Sequence, residues 1–213
     1  MSKTTSNGIF KDDILSLDNF EKIVTKDGLV LYKENFFDKD YFSELSNEKN
    51  WEVFKIKFYG KIIDQPRESL YMAENSDLTY TYSKVKRKPH KFSKCVKEIL
   101  DSINKVISKT HTKLNAVLGN KYRDGKDYIS AHSYDESDME KNSIIASVSF
   151  GAERDFIFKH KKTKEKIKIK LKSKSLLIMD YECQKHWTHE LPKRLRVKDP
   201  RINLTFRSMK EKN

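Results

Sequence analysis

Apolar and polar positions alternate in short runs along most of this chain, and that period of two predicts strands with one buried face. Gly28 to Phe36 (GLVLYKENF) reads as an early strand. From Trp51 the run WEVFKIKFYGKIIDQPRES alternates until Gly60, which predicts a hairpin turning at Tyr59–Gly60 with Lys57 and Lys61 beside its tip. Leu78 to Ser83 (LTYTYS) alternates again, so Tyr80 and Tyr82 share a face. KLNAVLGNKY reads as a buried strand carrying Asn120 and Tyr122 on one side. SIIASVSFG, RDFIFKH, KIKIKLK and SLLIMDY follow as short runs parted by turn-like residues, and RINLTFR ends the series. Helical spacing intervenes twice. DKDYFSELSNE predicts a short helix with Asp38 as its N-cap. Phe92, Val96, Ile99, Ile103 and Val106 fall on one stripe, which predicts an amphipathic helix over Phe92 to Ser108 packed on a sheet. The fold class that results is mostly β with flanking helices, an antiparallel set of double-stranded β-helix (jelly-roll) type.

Length and composition narrow this picture. The 213 residues suit one domain with a real core, expected over residues 18–213 behind a polar, flexible arm at 1–17. Charged residues make up 35%, yet two Trp, ten Tyr and twelve Phe argue against disorder. The formal charge of +13 points to a polyanionic partner, nucleic acid first, against a plain compositional excess of lysine. KVKRKPHK (Lys84 to Lys91) concentrates that charge as a solvated face or a set of phosphate contacts. In KIKIKLK, Lys166, Lys168, Lys170 and Lys172 share one side, which suits either a sheet edge guarded against aggregation or a strand following a nucleic-acid backbone. Cys95 and Cys183 are isolated, so no disulfide framework is expected and a reducing compartment is. The first residues, MSKTTSNGIFKDD, hold no apolar run of signal-peptide length, and no segment is suited to span a membrane. The expectation is a soluble intracellular monomer, nuclear or cytoplasmic.

The candidate chemistry gathers in the stretch Asn120 to Glu136, NKYRDGKDYISAHSYDE, and in two later motifs. His132 is followed by carboxylates, and HWTHELP offers His189. Two imidazoles, a carboxylate and open positions describe a non-haem Fe(II) oxygenase centre. Arg201 and Arg207 in RINLTFR share a strand face with Asn203 and Thr205 between them. A guanidinium fork there suits a dicarboxylate such as 2-oxoglutarate. Cys183, His186 and His189 also spell C-x2-H-x2-H, a zinc pattern that lacks a fourth ligand nearby.

NKY, HSYDE, SIIASVSFGAERDFIFKH, HELP and RINLTFR, in this order between about Trp51 and Met209, resemble the AlkB family of Fe(II)/2-oxoglutarate dioxygenases, most of all its animal members that repair alkylated duplex DNA. The resemblance implies Fe(II) held by His132 and His189. It also implies 2-oxoglutarate bound by Arg201, with Arg207, Asn120, Tyr122 and Asn203 completing the pocket. A nucleotide-recognition lid over about 51–90 and a jelly-roll core over about 111–209 follow from it. In the lid, the Tyr59–Gly60 finger beside Lys61 enters the base stack, Tyr82 stacks on the flipped base, and Tyr80 and Arg67 lie with the nucleic-acid contacts. The implied activity is oxidative demethylation of 1-methyladenine and 3-methylcytosine, with DNA, 2-oxoglutarate and O2 as partners.

One position departs from the family pattern. The motif is His-x-Asp, and Tyr134 occupies the Asp position. A neutral phenol is a poor replacement for a hard anionic oxygen. Three readings stay open: an impaired site in a nucleic-acid-binding relative, Asp135 as the carboxylate ligand, or Tyr134 as a phenolate. In the family pattern Asp135 contacts the exocyclic amine of the target base and Glu136 buttresses the site.

Overall fold

Two antiparallel sheets face each other across an apolar core, and helices close the outer face of the larger one. The computed structural model describes residues 17, 19–58, 60–82, 85–110, 112–134 and 138–211. The larger sheet runs in the order β1 (Glu21–Val24), β2 (Val30–Lys33), β14 (Ser175–Met179), β11 (Ile145–Gly151), β16 (Arg201–Arg207), β9 (Ala116–Tyr122), β5 (Glu68–Ala73), β8 (His90–Lys91). Among the described pairings only the short β5–β8 pair is parallel. The smaller sheet runs β10 (Ile129–His132), β15 (Trp187–Leu191), β12 (Arg154–His160), β13 (Lys166–Leu171). This is the jelly-roll arrangement expected from the strand pattern.

Alternation sorts the two cores. On β16, Ile202, Leu204 and Phe206 point outward with Val117 of β9 and Val148 of β11, into a cluster covered by helix α2 (Lys94–Val106) and the shorter α1 (Phe42–Ser46). The opposite face meets the smaller sheet, where Phe156, Phe158, Trp187 and Leu191 pack toward Tyr71, Leu118 and Leu177. A sheet covered on both sides explains why strands such as β14 are buried throughout instead of half-solvated.

Several local expectations shift. Helix α1 begins after Tyr41, not Asp38, because the Asp40 carboxylate takes the Phe42 N–H at 2.9 Å and forms a tighter local turn. Helix α2 is two residues shorter at each end than the stripe suggested, starting behind Ser93. The expected strand at Gly28–Phe36 contracts to β2, flanked by left-handed backbone at Asp27 and Asn35. Strand β1 had no sequence signal of its own; it exists by pairing with β2. Within the 51–90 span, β5 belongs to the larger sheet. The hairpins β3–β4 (Lys55–Phe58, Lys61–Asp64) and β6–β7 (Tyr80–Tyr82, Val85–Arg87) stand apart as two-stranded sheets. Strand β13 is a sheet edge with Lys166, Lys168 and Lys170 exposed, the placement that lysines guard. Of the arm at 1–17, only Leu17 lies among the described residues, packed against the core. Cys95 and Cys183 are buried free thiols. No helix among the described residues is long and apolar enough to cross a membrane.

Candidate active site

Strands β10 and β15 pair so that His132 stands opposite His189. Directly opposed residues on neighbouring strands bring their side chains together, and here the ring centroids are 4.5 Å apart. His189 is 1% exposed, with Phe156 stacked on it at 5.3 Å and Phe158 at 6.2 Å. Neither of its ring nitrogens has a hydrogen-bond partner among the described residues. Burial, then the neighbouring His132, Arg207 and Lys161, holds its pKa well below the usual imidazole range. His189 is therefore neutral, the form that ligates metals. His132 Nδ1 lies 2.9 Å from the Ser130 carbonyl. A carbonyl only accepts, so Nδ1 carries the proton, the arrangement in which an imidazole ligates through Nε2.

Tyr134 sits where the third ligand is expected. Its ring is 5.3 Å from His132 and 4.7 Å from His189, and the Arg207 guanidinium lies 4.6 Å from its face. Asp135 and Glu136 fall outside the described residues, and among those described no three His, Cys, Asp or Glu side chains converge on one point. The zinc pattern does not assemble either. Cys183 is buried with its thiol pushed up by burial, while His186 is half-exposed and stacks at 6.3 Å on His160. The two imidazoles fit a first-row metal, since a buried orphan imidazole otherwise costs about 1–3 kcal/mol. The phenol at 134 is the part of the donor set that departs.

The residues expected at the co-substrate lie on β16, whose inner face presents Arg201, Asn203, Thr205 and Arg207, all buried. Arg201 pairs across to Tyr122 and Asn203 to Asn120. Arg201 Nη2 donates to Ser149 Oγ at 2.8 Å, and its guanidinium lies 5.3 Å from the Tyr122 ring. Its Nε and Nη1 are buried with no hydrogen-bond partner among the described residues. Burial lowers its pKa to about 10, opposed by Tyr122 and reinforced by the charge of Arg154. Two orphaned N–H groups on a buried cation fit a carboxylate. Asn203 is engaged within the sheet, donating to Ser147 Oγ and the Val148 carbonyl, both at 2.8 Å. Asn120 accepts from Arg67 Nε at 2.8 Å and Ser69 Oγ at 2.9 Å.

The residues expected at nucleic acid divide. Arg67 is 4% exposed and faces inward, also donating to the Tyr128 carbonyl at 3.2 Å. It lines the same pocket as His132, Tyr134, Asn120 and Arg207. Tyr80 is buried against Tyr71 at 5.3 Å and takes the Arg207 guanidinium at 5.0 Å, so it forms a wall of that pocket, not an open stacking surface. Gly60, with φ of 79°, turns the β3–β4 hairpin, and Lys61 is exposed. Tyr59 and the Tyr82 side chain lie outside the described residues. Within the basic run, Arg87 stacks on Phe54 at 3.3 Å instead of facing solvent.

Sequence reading missed Arg154. It is 2% exposed and donates to the carbonyls of Asp124 (3.1 Å), Asp127 (2.9 Å) and Pro192 (2.8 Å). These bonds tie the turn before β10 to the segment after β15, the two strands bearing the histidines. The signal was present: in RDFIFKH, Arg154 alternates in phase with Phe156 and Phe158, an arginine on an apolar face.

The sequence profile of the 2OG-Fe(II) oxygenase superfamily matches residues 31–207. The chain is 38% identical over 194 residues to the DNA oxidative demethylase ALKBH2 of Mus musculus, covering 86% of this chain and 79% of that protein. For ALKBH2 of Homo sapiens the identity is 36% over 181 residues, covering 80% and 68%. The human alpha-ketoglutarate-dependent dioxygenase alkB homolog 3 is 36% identical over 154 residues, covering 68% of this chain and 52% of its own length. The structure of OsALKBH1 superposes with a TM-score of 0.59 at 13% identity, over 88% of this chain and all of that one, a likeness of fold. The chain belongs to the 2OG-Fe(II) oxygenase superfamily, as an AlkB-family dioxygenase that takes Fe(II) and 2-oxoglutarate as cofactors.

Proposed function

We propose that this protein is an oxidative demethylase of N-alkylated bases in DNA, with 1-methyladenine and 3-methylcytosine in duplex as substrates. The reading rests on similarity to the demethylases named above and on one observation. A buried, neutral, unpartnered His189 stands beside His132, and Arg201 lies on the inner face of β16 with two orphaned N–H groups. His132 and His189 would hold the metal, with Tyr134 or Asp135 as the remaining protein ligand. Arg201 would pair with the distal carboxylate of 2-oxoglutarate, and Asn120, Tyr122, Asn203 and Arg207 would complete the pocket. Bound Fe(II) and 2-oxoglutarate supply O2-dependent hydroxylation of the N-methyl group, which leaves as formaldehyde beside succinate and CO2.

The chain's own contribution is position and environment. Ser130 sets the His132 tautomer. Phe156 and Phe158 keep water from His189. Tyr80 and Tyr134 flank the Arg207 guanidinium, holding a permanent positive charge at the wall of the pocket. The net charge of +13 favours encounter with a polyanion, and the Tyr59–Gly60 hairpin suits duplex over single strands.

A second reading draws on the aromatic ring at position 134: a protein that binds alkylated or distorted duplex without turning it over. Formaldehyde and succinate release from a duplex bearing 1-methyladenine separates the two, run on this chain and on Tyr134→Asp. Release by both upholds the enzyme. Release by the variant alone, with salt-sensitive duplex binding by both, upholds the binder. Silence from both removes demethylation of this lesion.

A further inference from the structure

Past His132 the described β10–β15 pairing stops, at His132 opposite His189, and the next bridge among the described residues is Met139 with Met209. Ser133 and Tyr134, the first part of the metal-binding stretch, lie outside any strand. Two side chains from elsewhere hold them. Gln184, on helix α3 (Tyr181–His186) and 4% exposed, accepts the Tyr134 N–H through Oε1 at 3.2 Å. Lys161, the residue after β12, donates from Nζ to Ser133 Oγ at 3.1 Å and to the Gln184 carbonyl at 2.8 Å. Its own N–H donates to the His186 carbonyl at 2.8 Å.

Helix α3 is a firm base for such a contact. Asp180 caps it, accepting from the Cys183 N–H at 2.7 Å, and the Asp180 N–H donates to the Leu29 carbonyl at 3.0 Å. The helix leads directly into β15, so the element that restrains Ser133 and Tyr134 is the one that delivers His189.

We propose that Lys161 and Gln184 are positioning residues of the metal centre. They clamp the Ser133 hydroxyl and the Tyr134 backbone to α3 and so fix the spacing between the His132 side of the site and His189. The inference rests on the metal-centre reading above. It gives this site a restraint that does not depend on the chemistry of the side chain at 134, because the Gln184 bond is made to the backbone.

Partners that orient ligands act on affinity, where their loss costs about 10-fold to 100-fold. The test is Co(II) titration of the metal-free protein by calorimetry, with the visible absorption of bound Co(II) followed in parallel. Gln184→Met and Lys161→Met are each expected to weaken Co(II) binding about 10-fold or more and to change the Co(II) spectrum. Lys161→Arg, which keeps the donors, is expected to restore both. Should Gln184→Met fail to fold, Lys161→Met at an exposed position carries the test. Co(II) affinity within about twofold of the parent in both methionine variants overturns the clamp, as does Lys161→Arg binding as weakly as Lys161→Met. No Co(II) binding by the unaltered chain overturns the metal-centre reading itself.

Discussion

His132 and His189 stand opposite each other across the β10–β15 ladder, 4.5 Å between ring centroids, with both nitrogens of the buried ring unpartnered. Replacing His189 with Leu is expected to leave the metal-free protein as stable as the parent or more so. An orphaned polar group costs about 1–3 kcal/mol and an apolar isostere does not. The same variant should lose the stabilisation that metal confers, about 2.7 kcal/mol at a hundredfold excess over Kd. Thermal melting with and without Co(II) reads both effects; a variant still stabilised by Co(II) would count against His189 as a ligand.

The depressed pKa of His189 sets a pH dependence for the metal-free protein. Below the unfolded-state value of about 6.5 the unfolded chain binds a proton that the native state refuses. This contribution to stability is therefore complete above that pH and declines as pH falls below it, by at most about 1.4 kcal/mol per pH unit. Urea titrations between pH 7.5 and 5.5 should show a steeper loss in the parent than in His189→Gln.

Arg201 contributes two buried N–H groups with no partner among the described residues. Arg201→Lys keeps the charge and loses the fork. It is expected to weaken 2-oxoglutarate binding by about 1.5–3 kcal/mol, the range of a charged hydrogen bond, with Co(II) affinity unchanged. Calorimetric titration of each ligand distinguishes this from a general collapse of the site.

Arg154 joins three backbone carbonyls that flank the histidine strands. Arg154→Met should destabilise the fold by about 2–4 kcal/mol, because buried acceptors are left unsatisfied. The urea midpoint measures the loss. An unchanged midpoint would show that solvent satisfies those carbonyls.

Much of the architecture was legible in the chain because strand and helix periods are properties of the backbone itself. Alternation in RINLTFR was enough to set Arg201, Asn203, Thr205 and Arg207 on one face, and the Phe92–Val106 stripe was enough to set the helix. Sheet order places the lysines of β13 on an exposed edge, a position open to either of the two readings that the sequence left equal. Partnership across long separations was not legible. Arg67 turns inward because Asn120, 53 residues on, accepts its N–H; Tyr80 is buried because Tyr71 and Arg207 cover it. Asp38 lost the cap to a turn one residue scale in size, a competition among nearby polar groups that propensity does not resolve. Arg154, Lys161 and Gln184 act through carbonyls, hydroxyls and N–H groups that every sequence offers in plenty. The sequence alone determined which faces the side chains occupy; only the tertiary structure decided which of those faces meet, since that depends on strand register and burial between residues far apart in the chain.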